Sequence, residues 1–147
     1  MSILAYEQLH KEIDLVQSCI SRMANNSFMC KGWLLSLIVA ILALLPENIN
    51  RKSICIIILL ANLCFWWLDT YYLQQEKMFR WKYEWIIKNR PNGNMDYLYD
   101  LNPNNNQMWV NHEKCDVCMF KIMLWNKCTT PMYGGILVVC LFMIFLR

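Results

Sequence analysis

The side chains of this sequence that could do chemistry fall in four places. The first is His112-Glu113-Lys114-Cys115-Asp116-Val117-Cys118, with Cys128 ten residues further on. Two thiols in a CxxC spacing, an imidazole and a further thiol supply the donor types of a closed tetrahedral zinc site, so His112, Cys115, Cys118 and Cys128 form a candidate metal set. A single CxxC is only half of the usual zinc signature. Incidental thiols are the competing reading, and no metal or cofactor is expected. The second place is Arg80-Trp81-Lys82-Tyr83-Glu84-Trp85, flanked by Lys77 and Lys88. Cations interleaved with aromatic rings can hold phosphates and stack nucleobases; they can equally form an aromatic belt at a membrane interface. Lys77, Arg80, Trp81, Lys82 and Lys88 are the candidate contacts for a negative ligand, although Asp69, Glu76 and Glu84 dilute the charge.

The third place is the set of polar residues inside or beside apolar runs: Ser36, Asn62 and, at the margins, Lys31 and Asp69. Such groups are costly in hydrocarbon and face other helices or water. Asn62 can make one interhelical hydrogen bond, worth about 1 kcal/mol. Repeated around a symmetric oligomer, it can instead line a pore. Ser36, Asn62 and Asp69 are the candidate pore-lining residues. The fourth place holds the remaining acid/base candidates. His10 and His112 are the two histidines, the Asp96/Asp100 pair reads as a solvated face, and neither a Gly-rich phosphate loop nor a nucleophile elbow is present. The sequence therefore predicts no enzyme.

The elements that must position these residues are membrane spans. Of 147 residues, 57% are hydrophobic and 17% charged, against about 25% charged in a typical soluble domain. Gly32 to Leu45, Ser53 to Leu68 and Met132 to Leu146 contain no Asp, Glu, Lys or Arg. A bilayer core about 30 Å thick needs roughly 20 helical residues, so each run must be extended by its flanks. The organisation expected is an amphipathic cytosolic helix over 1–26, transmembrane helices over 27–46 and 53–69, a cytosolic helical extension over 70–90, a loop and short helical region over 91–130, and a third transmembrane helix over 131–147. The fold class expected is an all-α integral membrane protein of three spans.

Local signals set the boundaries. Tyr6, Leu9, Ile13, Val16, Ile20 and Met23 recur at helical spacing, with charged residues between them. Leu9, Ile13, Val16, Ile20 and Met23 form either an intersubunit seam or a face packed on the chain's own later helices. Pro46 ends the first span. From Asp69 to Asn89 there is no Pro or Gly, so the second helix should run on past the lipid until Arg90-Pro91-Asn92-Gly93-Asn94 breaks it. The first apolar run begins behind a long charged segment, which does not suit a cleaved signal peptide.

Positive residues flank the spans unevenly. Arg22, Lys31, Lys77, Arg80 and Lys82 lie on one side, against Arg51, Lys52 and Arg147 on the other, so the N-terminus and residues 69–130 are expected in the cytosol. Of the eight cysteines, Cys30, Cys55, Cys64 and Cys140 lie in or beside apolar runs, while Cys19, Cys115, Cys118 and Cys128 fall on the reducing side; a disulfide framework is not expected.

Two stretches carry a resemblance. Arg22-Met23-Ala24-Asn25-Asn26-Ser27-Phe28 followed by Lys31-Gly32-Trp33, and Trp67-Leu68-Asp69 with Tyr71-Tyr72-Leu73, Glu76, Phe79 and Arg80, resemble small bacterial transmembrane effectors of anti-phage defence operons. Among these they look most like the Hailong-type effector, encoded beside a nucleotidyltransferase. The resemblance covers residues 1–90 and the position of the third span; residues 94–130 lie outside it. It implies an oligomeric ion channel of the bacterial inner membrane. The channel would respond to a nucleotide or short oligonucleotide made by the partner nucleotidyltransferase, and would open during infection to depolarise the cell. The partners expected on this reading are the lipid bilayer, that ligand, and further copies of the chain, for which a tetramer is one arrangement. The rivals are a non-conducting membrane anchor that recruits a cytosolic partner, and a holin-like lesion-former with no need of a ligand.

Overall fold

The computed structural model describes residues 3–44, 50–109 and 112–146. Among them every regular element is helical. Helix α1 is Ile3–Leu44 and helix α2 is Arg51–Asn89; α3 is the short Met119–Trp125, and α4 is Thr129–Phe145. Three 3-10 turns, Arg90–Asn92, Asn106–Met108 and Lys114–Val117, punctuate the segment between α2 and α3. The chain is an all-helical protein with two helices, or three if the bent pair α3 and α4 is one span, long and apolar enough to cross a membrane.

The boundaries follow from local chemistry. Asn50 caps α2 by accepting the Lys52 amide at 3.1 Å. At the far end Pro91 cannot continue the helix, and Gly93 adopts the left-handed conformation, φ 82°, that closes the turn onto the Arg90 carbonyl. Pro131 falls in the first turn of α4, where its missing N–H is not needed. Its 17 residues make α4 about 26 Å long. The expected stop at Pro46, and the charge of Arg147, lie outside the described residues.

The chain divides into two compact units. The first comprises Met1–Asn25 and Tyr72–Cys118, the second Asn26–Tyr71 and Met119–Arg147. In the first, Val16, Cys19, Phe79, Trp85, Ile86 and Met108 form a core, joined by Leu9, Ile13, Ile20, Met23 and Tyr83. A second cluster gathers Met78, Trp81, Trp109 and Val117. In the span-bearing unit α1, α2 and α4 contribute Leu34, Trp66 and Tyr133 to one core cluster, and α2 and α4 contribute Cys55, Ile58 and Cys140 to another. Its outward surface is apolar: Phe28, Trp33, Leu44, Trp67, Phe142 and Phe145 are all exposed.

This partition bears on two expectations. The stripe Leu9, Ile13, Val16, Ile20, Met23 packs within the chain against α2 and Met108, in keeping with the second of its two expected roles. Residues 119–125, expected with the cytosolic loop, belong to the span-bearing unit, because Ile122 is buried and Met123 packs on the Leu34, Trp66 and Tyr133 cluster.

Candidate functional site

The span-bearing unit holds a buried charge cluster. Ser27 and Lys31 stand one turn apart on α1, and Asp69 faces them from α2. The Lys31 ammonium lies 2.7 Å from Asp69 Oδ2 and donates to Ser27 Oγ at 2.9 Å and to the Ser27 carbonyl at 3.2 Å. The Ser27 hydroxyl donates to Asp69 Oδ1. Asp69 is wholly buried, while one-fifth of the Lys31 side chain is exposed. Tyr133 of α4 is wholly buried in the same unit, and its hydroxyl has no hydrogen-bond partner among the described residues.

The polar lining continues along α2. Thr70 Oγ1 donates to the Trp66 carbonyl at 2.7 Å, and the Trp66 ring stacks on Tyr133 with centroids 5.8 Å apart. One turn from Trp66, Asn62 donates through Nδ2 to the Tyr133 carbonyl at 3.1 Å. Asn62 Oδ1, Trp66 Nε1 and Thr129 Oγ1 are buried with no hydrogen-bond partner. Asn62 to Asp69 spans about 10 Å of helix, so buried polar groups extend through a sizeable part of an otherwise apolar unit.

The candidate pore-lining residues do not share a face. Asn62 and Asp69 point into the unit, whereas Ser36 is exposed beside Phe28, Gly32 and Trp33. Within the chain Asn62 makes the interhelical bond, the first of its two expected roles. Ser27, Tyr133 and Thr129 were not singled out by sequence. Ser27 did carry a signal, since it stands one helical turn before Lys31.

In the other unit the five candidate ligand contacts diverge. Lys77 donates to the Asp116 carbonyl at 2.9 Å. Arg80 pairs with Glu76 at 2.7 Å. Trp81 is buried, its ring stacked on His112 at 4.2 Å and edge-on to Trp109 at 5.4 Å. Lys82 is 1% exposed and donates to the Asn102 carbonyl at 3.0 Å, with Asp100 at 3.5 Å. Lys88 is exposed. Trp81 and Lys82 thus serve the interior, and these five do not form one open anion site. Burial pushes the Lys82 ammonium below its ordinary value despite the attraction of Asp100. Burial alone would raise Asp100, but hydrogen bonds from Asn105 and the Asn102 amide, with Lys82 beside it, hold it below the usual carboxylate range.

Among the described residues no three His, Cys, Asp or Glu side chains gather as metal ligands. Cys115, Cys118 and Cys128 are free and exposed, and His112 is engaged by Trp81 and lies 3.9 Å from Glu84. His112, Cys115 and Cys118 belong to the first unit and Cys128 to the second.

A second buried ion pair organises the first unit. Arg90 holds Glu12 with two hydrogen bonds, and also donates to the carbonyls of Asn94 and Asp96 at 2.7 and 2.8 Å. The Tyr99 amide donates to Glu12 Oε1 at 3.2 Å. Glu12 and Arg90 thereby pin the segment containing Tyr97 and Tyr99, both in the left-handed region at φ 58° and 55°.

Fold and site together define a helical protein with two or three helices able to span a membrane, built around a buried polar cluster. No protein-family model, curated protein or solved structure matches the chain.

Proposed function

We propose that this chain is a subunit of a homo-oligomeric ion channel in a bacterial cytoplasmic membrane, with its N-terminus in the cytosol, and that the Ser27, Lys31 and Asp69 cluster locks its closed state. The observation that carries the reading is the 2.7 Å Lys31–Asp69 pair, with Asp69 fully buried in the span-bearing unit. A buried ion pair is a poor stabiliser, since well-packed apolar residues in its place are often neutral or better. Ionisable groups at membrane depth accordingly mark ion paths, relays and gates. A pair that holds α1 to α2 is suited to break when the helices move apart, releasing two charges toward a hydrated path.

The defence setting, and a nucleotide signal from a partner nucleotidyltransferase, rest on the residue resemblance of positions 22–33 and 67–80. A second reading, a non-conducting subunit that recruits a cytosolic partner, is favoured by the cleft lined by Gln17, Ser21, Arg80, Tyr83 and Glu84, whose mixed charges suit a protein surface.

The test is membrane depolarisation in cells expressing the chain alone and with its neighbouring gene, together with currents from the purified protein in planar bilayers. Channel activity predicts currents whose opening probability changes in Lys31→Met. A purified, folded protein with no current in either form, retaining a cytosolic partner, would establish the anchor instead.

A further inference from the structure

A groove of about 680 Å³ runs along the outer surface of the span-bearing unit, within the range of small-molecule sites. Its walls come from three helices: Leu42 of α1, Ile54 and Ile58 of α2, and Gly135 and Met143 of α4 are among its lining residues. From Met132 to Met143 it follows about 16 Å of α4. Among the described lining residues, Arg51 is the one that is charged. It opens α2, is exposed, and is followed by the equally exposed Lys52.

We infer that this groove is a binding site for an anionic phospholipid, with one acyl chain laid along α4 and the phosphate held at Arg51 and Lys52. The chemistry of the lining commits the occupant. A largely apolar groove of this length matches a hydrocarbon chain, and the guanidinium at its end matches a phosphate, because the guanidinium fork gives two parallel donors to two phosphate oxygens. Gly135 shapes the groove wall: a Cβ placed there would meet nothing within 4 Å, so a larger side chain enters open groove without disturbing the fold. The inference does not depend on conduction.

The test is lipid retention by the full-length protein purified in detergent, then exposed to equimolar phosphatidylglycerol and phosphatidylcholine and examined by native mass spectrometry. The wild type is expected to retain phosphatidylglycerol preferentially. Arg51→Gln with Lys52→Gln should bring the two lipids to parity, and Gly135→Leu should lose bound lipid of both kinds while leaving the helical circular dichroism unchanged. Equal retention of both lipids by the wild type, or undiminished retention by Gly135→Leu, would overturn the assignment. So would dissociation of an oligomer by Gly135→Leu with no change in bound lipid, because a second copy of the chain would then be the occupant.

Discussion

Arg90 and Glu12 meet as a two-pronged pair, Nε to Oε2 at 2.8 Å and Nη2 to Oε1 at 2.7 Å, across 78 positions of sequence. Both side chains are 2% exposed. Removing one partner leaves a buried charge uncompensated, so Glu12→Ala and Arg90→Ala are each expected to destabilise the first unit by about 3–5 kcal/mol. The Glu12→Leu, Arg90→Met double variant should lose much less than the sum of the single losses, because neither charge is then stranded. Denaturant unfolding in micelles checks this. Additive losses would show that the two residues act independently.

The helices were legible in the sequence, and the ion pairs were not. Uninterrupted helical spacing from Asp69 to Asn89, closed by Pro91 and Gly93, marks the end of α2 because backbone chemistry acts locally. Glu12 sits among the charged residues between stripe positions and reads as solvated, while Arg90 reads as part of a helix stop. Only tertiary contact with a residue 78 positions away reveals either role. Half of the basic, aromatic stretch was legible in principle. Successive helical residues turn by about 100°, so Arg80 and Lys82 cannot share a face, and the structure sends one to Glu76 and the other inward.

That divergence makes a pH prediction. The unfolded chain holds the Lys82 proton up to about 10.5, whereas the folded unit releases it lower, because burial disfavours the ammonium. Between the depressed folded value and 10.5 the unfolded state binds more protons, so the Lys82 contribution to stability rises with pH in that window. Lys82→Met should flatten this rise relative to wild type in denaturant titrations. Asp100 acts at the other end: its folded value lies below 3.8, so its contribution is present above 3.8 and lost as pH falls through the lower folded value. Asp100→Asn should remove that acid-limb loss. Arg80→Gln, at an exposed i, i+4 pair, should change stability by only about 0.5 kcal/mol.

Asn62 offers a test of where a conducting path can lie. Its Nδ2 is committed to the Tyr133 carbonyl inside the unit, so Asn62→Leu removes one interhelical hydrogen bond and should cost about 1 kcal/mol. A loss of that size with conductance unchanged is the outcome expected from the geometry. Abolished conductance without loss of assembly would instead put Asn62 on the ion path, and would require α2 to rotate from its packed position on opening.

Lys31 and Asp69 separate stability from gating. Lys31→Met leaves the Asp69 carboxylate, wholly buried, with the Ser27 hydroxyl but no counter-charge. The expected loss is about 3 kcal/mol, at the lower end of the range for broken buried pairs because Lys31 still reaches solvent. The Lys31→Met, Asp69→Leu double variant strands no charge and should recover most of that stability. If the pair is only structural, the double variant should behave as wild type in bilayer recordings once it folds. If the pair locks the closed state, the refolded double variant should still gate differently, with an opening probability that no longer tracks the wild type. Stability recovered together with wild-type currents would therefore remove the cluster from gating, and the role of an ion lock would pass to another part of the molecule.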